Sequence, residues 1–159
     1  MPDLVRLVPV TNNPVYLFFH SPRNLGPLVL RMTLAGFFFF HGAQRVLGWF
    51  GGAGWNETLH FWTSSNGLGW PSLLVALFLA GELLVSISLF LGLFTRLAGL
   101  AVAGIMSGKI AILAQHGPGF ASLELPILLW AAGLALLCLG GGALSTDRAI
   151  SENLLPVVG

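Results

Sequence analysis

Four stretches of this chain, at about residues 28–49, 72–94, 97–115 and 123–144, are too long and too apolar to form the faces of a water-soluble fold. A helix rises about 1.5 Å per residue and needs about 20 residues to cross roughly 30 Å of hydrocarbon. Each run comes to about that length. In lipid every backbone N–H and C=O has to be satisfied within the segment, so such runs predict helices. Strand-like alternation at about ten-residue spacing is absent, which excludes an outer-membrane barrel. The expected fold is an all-α integral membrane protein, a four-transmembrane-helix bundle.

Composition agrees. Charged residues make up 8% of the chain, against about 25% in soluble domains. The 7 basic and 6 acidic side chains nearly cancel, so there is no basic patch to neutralise phosphates and no nucleic-acid partner is expected. Cys138 is the single cysteine, which leaves no disulfide, no CxxC pair and no cysteine cluster for zinc or iron–sulfur. The sequence has no intrinsic flavin, haem or iron–sulfur motif, and no metal site is expected.

Residues 1–27 read as an N-terminal interfacial segment. Pro14 and Pro22 bracket the apolar patch Val15-Tyr16-Leu17-Phe18-Phe19, which is too short to span. With no early apolar run and no small-residue cleavage signal, no cleavable signal peptide is expected. Residues 28–148 form the transmembrane domain and 149–159 a C-terminal tail. Arg6, Arg23, Arg96 and Arg148 fall on one side and Arg45 on the other, so the positive-inside rule predicts both termini in the cytoplasm. The loop at 50–70, with Trp55, Trp62 and Trp70, then faces outward. Its tryptophans suit an interfacial aromatic belt, or a lid over an outward-facing pocket. Gly104 and Gly108, with Gly99 and Ala103, give the small-residue spacing of close helix contacts. Gly140-Gly141-Gly142 is expected to loosen the inner end of the last span. No internal repeat supports an inverted-repeat transporter.

Ionisable groups in a bilayer are the informative ones, since each costs at least ~2.5 kcal/mol at the centre on insertion scales. Glu82 falls near the midplane of the second span. Lys109 lies toward the outer end of the third, seven residues and hence one face from His116. His41, Gln44 and Arg45 share a face of the first span through i, i+3 and i+4 spacing. Glu124 opens the fourth. These residues predict an outward-facing polar pocket, with Glu82 and Lys109 as the catalytic pair and His41, Arg45, His116 and Glu124 binding substrate.

Each has a plainer reading. Glu82 can be a structural partner of Lys109 or Arg31, and Lys109 can snorkel toward the headgroups. Glu124 suits the first turn of a helix capped by Ser122, where Pro126 is also tolerated. Arg31 can reach cytoplasmic phosphates, and Arg45 and Arg96 can anchor at the interfaces. His41 and His116 without a motif are weak haem or metal ligands, and Cys138 is packing.

At these residues the chain resembles the DoxX family of small four-helix membrane proteins. The likeness covers about residues 31–148, roughly three-quarters of the sequence. It rests on Arg31, then His41-Gly42-Ala43-Gln44-Arg45 and Gly48-Trp49-Phe50-Gly51-Gly52. It continues with Glu82, Leu91-Gly92-Leu93-Phe94-Thr95-Arg96, and Gly140-Gly141-Gly142-Ala143-Leu144-Ser145-Thr146-Asp147-Arg148. Arg45 stands where the family often has Lys, and Thr146 where Leu would be expected.

The resemblance implies an inner-membrane subunit of a redox complex, quinone-linked and acting in sulfur metabolism or oxidative-stress defence. Some members resemble the large membrane subunit of a thiosulfate:quinone oxidoreductase. With no electron store of its own, such a chain calls for quinone as cofactor and for a protein partner carrying the redox centre, or for a homo-oligomer. The rival classes are a non-catalytic membrane scaffold or assembly subunit and a small-molecule carrier.

Overall fold

The computed structural model describes residues 25–64, 69–116 and 119–154, with only the backbone described for His116 and for 151–154. The interfacial segment expected at 1–27, with Arg6 and Arg23, and the end of the expected tail lie almost wholly outside the described residues. Six α-helices run through the rest: α1 (Leu25–Gly42), α2 (Gly54–Thr63), α3 (Ser72–Leu91), α4 (Thr95–His116), α5 (Ala121–Leu139) and α6 (Thr146–Leu154). No strand occurs among the described residues. Four helical segments are long and apolar enough to cross a bilayer: Leu25–Leu47, Ser72–Leu91, Thr95–Gln115 and Ala121–Leu139.

The expected spans are all present, and three end earlier than apolarity alone suggests. The first continues from α1 through a π-helical turn, Ala43–Leu47, and stops at Gly48, which takes φ 71°. The second stops at Gly92, φ 65°, in a Schellman arrangement. There the Gly92 N–H donates to Leu89 C=O (3.3 Å) and the Leu93 N–H to Ser88 C=O (3.0 Å). Glycine takes the left-handed conformation without steric cost, so it ends a helix inside an unbroken apolar run. The fourth stops at Leu139, ahead of the glycine triplet. The loop at 50–70 is not all loop, because α2 occupies its first half.

The start of α5 also differs from the expectation. The helix begins at Ala121 with Phe120 as its cap, so Ser122 is not the capping residue; its hydroxyl donates to Gly119 C=O (2.6 Å). Pro126 therefore sits beyond the first turn, where it removes the backbone bond to the Ser122 carbonyl.

The bundle is two close helix pairs, α1 with α3 and α4 with α5, packed on each other. Leu34, Ala35 and Phe38 of α1 meet Val85 and Leu89 of α3, Ala98, Val102 and Met106 of α4, and Leu129 and Leu136 of α5. Most remaining large apolar side chains on these helices point outward, as the lipid-facing surface of a multi-pass protein requires. The α4–α5 pair is closest at two facing glycines. A Cβ on Gly99 would lie 2.6 Å from the Gly133 carbonyl oxygen, and one on Gly133 2.8 Å from that of Gly99. Gly99 and Ala103 thus form the expected close contact, whereas Gly104 and Gly108 have nothing within 4 Å of a built Cβ. Gly99→Val is expected to destabilise the bundle by about 1–3 kcal/mol through overpacking, and Gly104→Ala to change little. Thermal unfolding of both variants in detergent checks this; equal midpoints would contradict the contact.

One end of the bundle is sealed by a polar latch. Arg31, 1% exposed, donates from Nη1 to Gly141 C=O (3.0 Å) and from Nη2 to Leu144 C=O (3.1 Å). Asp147 accepts from the Phe94 N–H (2.6 Å) and the Thr95 N–H (2.7 Å), backbone donors at the start of α4. The Asp147 N–H returns to Gly92 C=O (3.0 Å), and the Thr146 hydroxyl donates to Leu91 C=O (2.7 Å). Arg96 donates from Nη1 to Leu137 C=O (2.8 Å) and Cys138 C=O (3.0 Å), the open carbonyls at the end of α5. Arg31 and Arg96 therefore both cap backbone carbonyls, and Arg31 is too buried to reach phosphates. The glycine triplet, which reads as a loosened end, is buried and tied: a Cβ on Gly141 would meet Ser145 Cβ at 2.6 Å and Thr95 Oγ1 at 2.8 Å.

Candidate functional site

At the opposite end, the π-helical turn that finishes the first span carries Arg45. Such turns interrupt the 3.6-residue period and recur at functional sites. The i, i+3, i+4 spacing that groups His41, Gln44 and Arg45 is accordingly broken at Ala43. Arg45 leans across to α3 and pairs through Nη1 with Glu82 Oε1. Glu82 lies halfway along α3 and is 2% exposed. Its second oxygen, Oε2, is buried without a hydrogen-bond partner.

α2 lies over this pair. Trp62 has the Arg45 guanidinium 5.8 Å from its ring centroid, within cation–π range. The same ring packs against Phe78 of α3 (5.2 Å) and Trp70 (6.2 Å). The strand of chain leading into α2 is glycine-rich for a reason. Gly52 is pressed against the Gln44 backbone so closely that a Cβ would overlap it, and Gly48, Gly51 and Gly54 all have positive φ. Of the two readings of the tryptophan-bearing segment, the placement of Trp62 fits the lid.

Beneath Trp62 is a cavity of about 250 Å³, lined by Arg45, Phe61, Trp62, Phe78, Lys109, Ile112 and Leu113. That is somewhat below the roughly 300–1,000 Å³ of drug-sized sites, so it suits a small body of one or two fused rings. The wall is almost wholly hydrocarbon and aromatic, with two cations set into it. Lys109 of α4 is close enough to act electrostatically on Arg45, Glu82 and His41.

The structure thus brings together Arg45, Glu82 and Lys109, with Arg45 and Lys109 on the cavity wall and Glu82 outside the lining, paired to Arg45. His41 is half-buried one turn below Arg45, its ring 4.4 Å from that of Phe37, and it is not among the cavity-lining residues. Glu124 is exposed on the first turn of α5 and also stands outside the lining. The His116 side chain lies outside the described residues. The aromatic walls, Phe61, Trp62 and Phe78, are not among the expected site residues. The clustering of tryptophan with glycine at 48–70 is the signal that could have found Trp62. No group of three or more His, Cys, Asp or Glu placed to hold a metal occurs among the described residues.

The chemistry available is specific. Two cations can donate hydrogen bonds to an oxygen entering the cavity, and the rings can stack on a flat body. Glu82 has one oxygen committed to Arg45 and one with room for a proton.

Comparison with known proteins follows the same helices. The DoxX family model matches residues 26–117, the stretch that holds Arg31, Arg45, Glu82 and Lys109. A Bacillus subtilis (strain 168) protein called "Putative oxidoreductase CatD" is 29% identical over 129 residues, 81% of this chain and 90% of that protein. No solved structure matches the chain significantly.

Proposed function

This chain belongs to the DoxX family and is a multi-pass membrane protein, and from that premise we propose that it is the quinone-binding membrane subunit of a redox complex in the bacterial inner membrane. The observation that carries this reading is the cavity under Trp62, where apolar and aromatic walls meet the Arg45 and Lys109 cations. The name of the Bacillus relative, an oxidoreductase, points the same way.

A quinone suits such a site by its chemistry: a flat apolar ring with carbonyl oxygens that accept hydrogen bonds. When bound it supplies two-electron redox chemistry that no side chain here provides. The side chains do the rest. Phe61, Trp62 and Phe78 hold a ring and exclude water. Lys109 and Arg45 orient an oxygen and favour negative charge on it. Glu82, paired to Arg45 outside the lining, holds or releases a proton through Oε2. Electrons come from a partner protein carrying the redox centre, in the service of sulfur metabolism or oxidative-stress defence. With both termini in the cytoplasm, as the distribution of Lys and Arg suggests, the cavity opens toward the outer face.

The test is direct. In lipid nanodiscs, decyl-ubiquinone is expected to quench tryptophan fluorescence saturably, and Trp62→Ala to weaken that binding about tenfold, in the range of a lost aromatic pair plus its buried area. Quenching that rises linearly with quinone in both proteins would mean partition into lipid alone and would sink the reading.

A further inference from the structure

We propose that the cavity selects a monoanion: a ligand with one ionised oxygen group on a flat, apolar body, for which Lys109 is the counter-ion. This rests on the cavity being the ligand site, as argued above, and adds the charge that the ligand carries.

The argument is one of charge count. Three charged groups meet here: Arg45, Glu82 and Lys109. Arg45 and Glu82 satisfy each other in the ion pair. Lys109 has no carboxylate within ion-pair distance among the described residues, yet lines the cavity beside Phe61, Trp62, Phe78, Ile112 and Leu113. The three groups together carry one net positive charge inside an apolar wall.

An uncompensated cation facing hydrocarbon is unfavourable, and a bound anion relieves it. A neutral ligand of the same shape fills the same volume and leaves that cation as it was. A small hydrated inorganic anion would compensate the charge but leave the aromatic walls without contacts. The combination that satisfies both walls and charge is an apolar anion.

The oxygen can belong to a carboxylate or to an ionised ring hydroxyl. The two share this chemistry, and the probes below separate it from mere apolarity. The pair 2-naphthoate and 2-naphthamide has one ring system and nearly one shape, and differs in charge. Binding of each to the full-length protein in phosphatidylcholine nanodiscs is read by naphthyl fluorescence, with empty nanodiscs subtracted for partition. Displacement of 2-naphthoate by pentafluorophenolate against pentafluoroanisole at neutral pH, where this acidic phenol is ionised and the Lys109 ammonium is kept, repeats the comparison for a ring hydroxyl.

The anion is expected to bind at least tenfold more tightly than its neutral partner in the wild type. The preference should vanish in Lys109→Gln and persist in Lys109→Arg. Equal binding of 2-naphthoate and 2-naphthamide to the wild type overturns the proposal without any variant having to fold. A preference that survives Lys109→Gln overturns it too.

Competition by decyl-ubiquinone keeps this result distinct from the preceding one. Charge selection with no competition upholds the anion site and removes the quinone reading. Saturable quinone binding with no charge selection does the reverse.

Discussion

Glu82→Ala is expected to lower the stability of the bundle by about 3–5 kcal/mol. The magnitude follows from what the substitution leaves behind. Removing one member of a buried ion pair strands the other in low dielectric, which is far worse than never having had the pair. Glu82 is almost completely buried and Arg45 is three-quarters enclosed, so the stranded guanidinium finds little water. The double variant Arg45→Met with Glu82→Met separates stability from binding. It removes both charges and keeps the volume, so stability should return to near the wild-type value while Lys109, and with it the preference for the anion, remains. Unfolding midpoints in detergent, measured beside naphthoate binding, give both readings. A double variant no more stable than Glu82→Ala would show that the pair is not an isolated unit.

The second large effect is at the other end. Asp147→Ala removes two hydrogen bonds from backbone N–H groups to a carboxylate, each in the class worth about 1.5–3 kcal/mol. It also removes the acidic neighbour of Arg31. A loss of about 3–5 kcal/mol is expected, with Asp147→Asn losing less because one acceptor oxygen remains. Naphthoate affinity of the protein that stays folded should not move, since the latch and the cavity lie at opposite ends of the helices. A change in affinity at unchanged stability would contradict that division.

The four spans were legible because hydrocarbon length is a strict requirement, and Glu82 and Lys109 were legible because charges in apolar runs have few other uses. Their convergence with Arg45 could be anticipated from depth alone. What was not legible has physical causes. Helix ends inside apolar runs are set by single glycines such as Gly48 and Gly92, whose conformation apolarity does not report. Glu124 has the depth of a pocket residue but the exposed face of α5, and a lipid-facing helix has no apolar–polar period from which to read the face. Asp147 escaped notice because its partners, Phe94 and Thr95, are fifty residues away in sequence. The role of Arg31 and Arg96 was hidden for the same reason, since a backbone carbonyl has no signature in the sequence.

The latch also imposes an order on how the chain is made. When the last span, ending at Leu139, has left the ribosome, α4 still lacks the carboxylate that satisfies its first N–H groups, and Arg31 still lacks the carbonyls of Gly141 and Leu144. The four spans can be threaded into the bilayer and remain unlocked until residue 147 emerges. Closure thus waits on a residue beyond the last span, and a chain released before Asp147 carries every span and no clasp.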